Sequence, residues 1–455
     1  MSINSHQQYI DLYRDHRDEV CAGSLETLNV HRAAAAALLA EQGFPTNKEE
    51  RYKYTSVREA FAPNYGLNLR RLQPAMNPYE AYACEVPNLK TASFYVMNDV
   101  PYPAAASSLE LLPEGVVVSS FGGLSADHAA LLSRYYNRAA SADRDFHTGH
   151  DSVTLLNTLL AQDGLLIYLP PETHLNTPIQ VVNVADAAKP QMCVRRVVII
   201  AGRGAHGSVL FCDHAEGQSC LTTQVIEAYA DDNAHLDIYS IEETGEKCTR
   251  FSTLYVEQES HSHVGYDNVT LTCGHTRNRI DVRLRGEGAT TDLYGAVIAD
   301  GSQRVDNNVL VEHIAPKCTS DMLYKYVLDG ESVGAFAGKV YVAPGAQGTS
   351  SQQTNANLCA SRGARAYSQP MLEIYADDVK CNHGSTVGKL DEGALFYMRQ
   401  RGIPEAEARL LLQHAFINEV LRHVQIEHLQ TRLSKLVEMR FRGELQKCRA
   451  CKGCL

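Results

Sequence analysis

Leu165-Leu166-Ile167-Tyr168-Leu169 and, after a short polar break, Ile179-Gln180-Val181-Val182-Asn183-Val184 open the stretch that decides the fold. Both are short, apolar β-type runs bounded by Gly, Pro, Asn or Asp, the signature of strands closed by turns. The same unit returns at Val197–Ile200, Val209–Phe211, Phe251–Val256, Val269–Leu271, Val282–Leu284, Val309–Val311 and Leu372–Ala376. In the last of these Leu372, Ile374 and Ala376 alternate with Glu373, Tyr375 and Asp377. So long a series of strands with no helix between them predicts a sandwich, a barrel or a β-solenoid. No fixed period is visible that would choose among the three.

The period changes on either side. Ala33 to Leu39 is a strong helix former, and Gly43 and Pro45 supply its stop. Shorter helices are expected through Val57 and Phe61, over Asp127–Asn137 and around Leu155–Leu160. Beyond Leu395, Pro404 with Glu405 and Glu407 marks a helix start. There Phe416, Val420 and Val424 recur at i, i+4, i+8 beside Ile417 and Leu421, and Leu429, Leu433 and Leu436 continue the stripe. Such a stripe either packs on its own domain or binds a partner. The expected divisions are 1–160 (helical and mixed), 161–390 (β core) and 391–455 (helical, with a cysteine-rich tail).

Composition narrows the function. The chain has 455 residues, 44% hydrophobic and 21% charged, enough to bury a core. A net charge of −11 argues against a general nucleic-acid or anionic-membrane binder. The longest apolar run, Ala33–Ala40, is too short to span a bilayer, and the N-terminal stretch lacks a basic region followed by an apolar one. A cytoplasmic protein is expected. Thirteen scattered cysteines then read as reduced thiols, not a disulfide framework.

Several motifs carry chemistry. Gly202-Arg203-Gly204-Ala205-His206-Gly207 matches a dinucleotide fingerprint, but a strand follows where a helix is needed, so it reads as a turn. His261-Ser262-His263 would set two imidazoles on one strand face, with surface histidines the plainer reading. Cys381 and His383 point the same way if their segment is extended, and a thiolate beside an imidazole suits iron or zinc. Cys448, Cys451 and Cys454 close the chain among Lys and Arg, which favour thiolate, but three cysteines are one short of a closed tetrahedral site. No serine triad, phosphate-binding loop or zinc-protease motif is present.

One resemblance gathers these pieces. Glu312-His313-Ile314-Ala315-Pro316, Ser320 to Lys325, Gly338-Lys339-Val340-Tyr341-Val342, Ala346-Gln347, the block Pro370 to Gly388 and Phe396-Tyr397-Met398-Arg399 resemble the SufD branch of the SufB/SufD iron–sulfur cluster assembly family. Glu50-Arg51-Tyr52-Lys53-Tyr54-Thr55 is similar to an N-terminal element of that family, with Tyr52 in place of Trp. The resemblance implies a right-handed parallel β-helix flanked by helical N- and C-terminal regions. It also implies a non-catalytic scaffold that pairs with a SufB-like paralogue and carries a SufC-like ABC ATPase on its C-terminal helices. His383, with Cys381 beside it, would lie at the SufB interface and contact a transient iron–sulfur cluster, with Gly384 kept free of a side chain that would crowd the approach. The Phe416, Val420, Leu421 and Val424 stripe would hold the ATPase or cap the β-helix. Alone, the chain is expected to form a homodimer through the same edge. The sequence leaves open whether a reduced flavin binds the complex, and the cysteine tail lies outside the resemblance. The alternative from another class is a β-helix enzyme acting on polysaccharide.

Overall fold

A computed structural model describes residues 5–71, 76–82, 86–141, 150–187, 190–217 and 219–445. From Leu165 the chain winds as a parallel β-helix of eight two-stranded coils. One sheet, here sheet one, stacks Leu165–Leu169, Gln191–Ala201, Cys220–Ala230, Cys248–Gln258, His275–Leu284, Arg304–His313, Val333–Val342 and Arg365–Ile374. Sheet two stacks Ile179–Ala187, His206–Gly217, His235–Glu243, His263–Thr272, Thr290–Ala299, Thr319–Leu328, Thr349–Cys359 and Val379–Gly388. Of the three architectures left open by the pattern, the solenoid is the one formed. In the glycine-rich 202–207 segment, residues 202–205 form the turn after Gln191–Ala201, and His206 and Gly207 already open the next strand, His206–Gly217.

Inward-facing side chains stack on their own kind from coil to coil. In sheet one Ile167, Ile199, Ala228, Val256, Val282, Val311, Val340 and Leu372 stand in register, all but the last buried. The strands also read as apolar on both faces, as in Val197-Val198-Ile199-Ile200, because helices cover the outer faces as well.

The N-terminal region covers sheet one. Helix Glu26–Gln42 stops at Gly43, whose φ of 66° needs glycine, and it packs against the wholly buried helix Ser152–Leu160. The Glu50–Thr55 element is bolted on by buried polar contacts. Arg51 donates to Asn308 (2.8 Å) and pairs with Asp281, Thr55 donates to Asp306 (2.6 Å), and Tyr52 donates to Asp151. The Arg277 guanidinium lies 4.1 Å from the Tyr52 ring centroid, so a tyrosine fills the aromatic position. The same region caps the first coil: Ala92–Met97 pairs with Ile179–Ala187, and Val117–Ser120 with Leu165–Leu169.

Helices Glu405–Leu421 and Glu427–Arg442 cover sheet two. Ile417, Val420, Leu421, Val424, Leu429 and Leu433 are buried against Ile241, Val269, Leu271, Ala296 and Ile298. This corrects one expectation. Val420, Leu421 and Val424 are not a free partner surface, because the chain's own sheet occupies them. Phe416 is half-buried, with the Lys325 ammonium 4.4 Å over its ring. No helix among the described residues is long and apolar enough to cross a membrane.

The candidate site at the open end of the solenoid

Among the described residues the eighth coil has no successor. Arg365–Ile374 and Val379–Gly388 each end their sheet, so one edge of both strands is unpaired. The inner row of Thr349–Cys359 is buried, whereas Val379–Gly388, stacked on it, is largely exposed.

Local sequence explains how this last strand is launched. Arg365–Ile374 ends at Ile374, so the acidic segment is not one continuous strand, and Tyr375–Asp378 turns the chain. Gln347 accepts from the Asp378 amide at 2.9 Å, and the Gly348 amide donates to the Asp378 carbonyl at 2.7 Å. Across the mouth the Ser385 hydroxyl meets Ser368 at 2.7 Å. On the outside, Tyr54 stacks on Tyr367 at 4.8 Å, so the N-terminal element also braces this coil.

Cys381 and His383 share the inward face, as the alternation requires. His383 is the last rung of the row Leu293, Met322, Gln353, His383, and it is exposed because nothing stacks above it. Gln353 beneath it is fully buried, and neither of its amide atoms has a hydrogen-bond partner among the described residues. Cys381 ends the neighbouring row. There the buried His313 meets Ser320 (2.9 Å), Ser320 meets Ser351 (2.8 Å), and Ser351 is in register with Cys381. Partial burial raises the Cys381 thiol above its ordinary pKa, so the free chain holds it protonated.

This polar row inside an aliphatic lumen escaped the sequence reading. Ser320, Ser351 and Cys381 are about 30 residues apart, with His313 seven before Ser320, and the signal was Thr349 to Asn357 (TSSQQTNAN), polar on both faces. A Cβ at Gly384 would meet nothing within 4 Å among the described residues, so the space beside His383 is open on this chain's side. His261 and His263 do not share a strand face either: His261 occupies the preceding turn with φ 56°, and only His263 enters a strand. Cys448, Cys451 and Cys454 lie outside the described residues.

Comparison with known proteins decides the family. A profile described as "SUF system FeS cluster assembly, SufBD core domain" matches residues 183–416, and one described as "SufBD protein N-terminal region" matches residues 3–181. The chain belongs to the SufB/SufD family. A SufBD family iron–sulfur cluster assembly protein of Synechocystis is 26% identical over 96% of both chains. The iron–sulfur cluster assembly protein SufD of Bacillus subtilis is 23% identical over 76% of this chain and 78% of its own. Escherichia coli SufD is 33% identical over 37% of this chain and 40% of its own. The SufBD core match spans the open coil and its Cys381-Asn382-His383 segment, and it ends inside helix Glu405–Leu421.

Proposed function

We propose that the chain is a SufD-type scaffold whose open coil pairs with a SufB-like paralogue and presents His383 and Cys381 to a nascent iron–sulfur cluster. One observation carries this reading: the solenoid is capped at its first coil and open at its last, where the inward rows end in an imidazole and a thiol. Both are donors of the class that holds iron. Two donors cannot enclose a cluster, so the partner supplies the rest.

The C-terminal helices are firmly packed on sheet two, so a force on them reaches the β-helix. The surface they leave for a SufC-like ATPase is the exposed Phe396 and Tyr397 on helix Glu392–Gln400, with Leu411. ATP-driven movement of the ATPase subunits would then work the paralogue interface and open it to iron and sulfur. Family membership replaces the polysaccharide-enzyme alternative, because a β-helix by itself does not fix a chemistry.

The test is co-expression with SufB- and SufC-type subunits, then anaerobic absorption spectroscopy of the purified complex. His383→Ala should leave the complex intact and severely lower its cluster content. Changing Cys448, Cys451 and Cys454 together to Ser should reduce it modestly at most. Full cluster content with His383→Ala, and loss with the triple variant, would move the chemistry to the tail.

A further inference from the structure

The outer face of sheet two carries a second cluster of ligand-type side chains, four strands from the open coil. Four successive turns place a histidine where the chain enters the sheet. His174 stacks on His206 at 4.7 Å, His206 on His235 at 5.6 Å, and His235 on His263 at 4.4 Å, with ring planes within 24° of parallel. Stacking alone explains a ladder of rings. It does not explain the carboxylate that leans on it.

Asp237 lies two residues beyond His235, on the same face of the strand, with its Oδ2 3.4 Å from His235 Nε2. Its register neighbour in the next strand is Gly265. A Cβ at that glycine would lie 2.7 Å from Asp237 Oδ1, so the missing side chain is what lets the carboxylate swing across. The same Cβ position is 3.7 Å from His263 Nε2. One ligand atom each from His235, Asp237 and His263 therefore falls within 4.8 Å of the others. Bonds of about 2.1 Å to a shared ion allow at most about 4.2 Å between ligand atoms, so small side-chain rotations close the set.

Two further groups fit a built site. Thr290 engages His263 Nδ1 at 2.9 Å, which leaves Nε2 turned to the carboxylates, the usual arrangement around a metal-binding imidazole. Asp292 Oδ2 is 3.9 Å from His263 Nε2, within reach as a fourth ligand. Beside them Asp267 is buried, and its Oδ1 has no hydrogen-bond partner among the described residues.

We propose that His235, Asp237 and His263 form a binding site for a divalent transition-metal ion, with Asp292 as a fourth ligand. Two imidazoles and a carboxylate are the donor set of Zn²⁺ and of non-haem Fe²⁺, and Co²⁺ takes the same ligands. Because these residues stand on three neighbouring strands of sheet two, the ion would also clip three coils together. The site is distinct from the coil mouth: four strand spacings of about 4.8 Å separate the His263 strand from the His383 strand. The inference stands whether or not His383 meets a cluster.

The test uses the full-length chain with Cys448, Cys451 and Cys454 changed to Ser, so that tail thiolates cannot compete. Co²⁺ is titrated into the metal-free protein and its visible d–d bands are followed, with Zn²⁺ as competitor. One equivalent should bind, with no thiolate-to-metal charge transfer. His235→Ala and His263→Ala should each weaken binding by roughly tenfold or more, and the double variant should abolish it. Asp237→Asn, close in shape, should also weaken it, while His383→Ala should leave it unchanged. Parent-like binding by the double variant, no binding by the parent at micromolar Co²⁺, or loss of the site in His383→Ala would each overturn the proposal. Circular dichroism of every variant confirms that the chain tested is folded.

Discussion

His313 gives the solenoid interior a measurable acid sensitivity. Its ring is buried between coils, and desolvation pulls its pKa from the ordinary 6.5 down to about 4. The folded chain thus holds it neutral while the unfolded chain protonates near pH 6.5. Between those values the unfolded state binds the extra proton, so stability falls as pH drops through 6.5 toward 4. At pH 4.5 the two pKa values correspond to roughly 2.5 kcal/mol lost relative to neutral pH. The perturbation is His313→Gln, which keeps a neutral donor facing Ser320 but cannot titrate. The assay is urea unfolding of parent and variant at pH 7.5 and 4.5. Tyrosine fluorescence can follow it, since the chain has 23 tyrosines and no tryptophan. The parent should lose roughly 2.5 kcal/mol more than the variant between the two pH values. Other histidines whose pKa burial lowers, such as His31 and His275, cancel in this difference. Asp281, held below the usual carboxylate range chiefly by Arg279 and Arg51 against its burial, contributes only below about pH 4. Equal pH dependence in the two proteins would refute the reasoning.

Arg51→Ala should cost about 3 kcal/mol, the lower end for breaking a buried ion pair, because Arg279 still neutralises Asp281; the urea midpoint reads it. Leu433→Ala, at a fully buried contact with sheet two, should cost roughly 2–5 kcal/mol. Hydrogen exchange should show that loss concentrated in the two C-terminal helices. Tyr375→Lys with Val387→Lys, both exposed beside the open edge, should weaken capture of the SufB-like subunit; undiminished capture would place that interface elsewhere. Without the paralogue, the chain should scatter light as a dimer at micromolar concentration, and a monomer would count against edge pairing.

Alternation and turn residues made the strands legible, but not their closure into a helix. The reason lies in the coil lengths: Thr249 pairs with His275, 26 residues on, while Val333 pairs with Arg365, 32 residues on. Turns absorb the difference, so the stack is regular in space and irregular in sequence. The stripe from Phe416 to Leu436 was legible as a buried face, yet spacing cannot say what buries it; sheet two does, and the partner reading of Val420, Leu421 and Val424 fails for that reason. Cys381 and His383 were reachable because only Asn382 separates them and they lie within a family motif. Gln353, Ser351, Ser320 and His313 were not, since only the coil register brings them together. The His235, Asp237 and His263 group was hidden likewise, since only the coil register brings His263 beside the His235–Asp237 pair of the preceding strand.

The two ends of the solenoid differ in a way that bears on assembly. At the first coil both sheets continue into Ala92–Met97 and Val117–Ser120, so the chain satisfies its own backbone there. At the eighth coil two ten-residue strands carry amides and carbonyls that no further strand among the described residues pairs. A monomer that ended this way for no purpose would be prone to uncontrolled edge pairing. A second β-helix ending in the same way meets that need, and a paralogue does so without open-ended stacking, since each partner contributes one free end. In the proposed pairing the lumen rows run toward the junction, and their last members here are Cys381 and His383. Donors at such a junction are covered when the edges are paired and accessible when they part. A site built across a separable edge can therefore take up iron and sulfur, hold a cluster, and give it up again, which a site buried within one chain could not do without unfolding it.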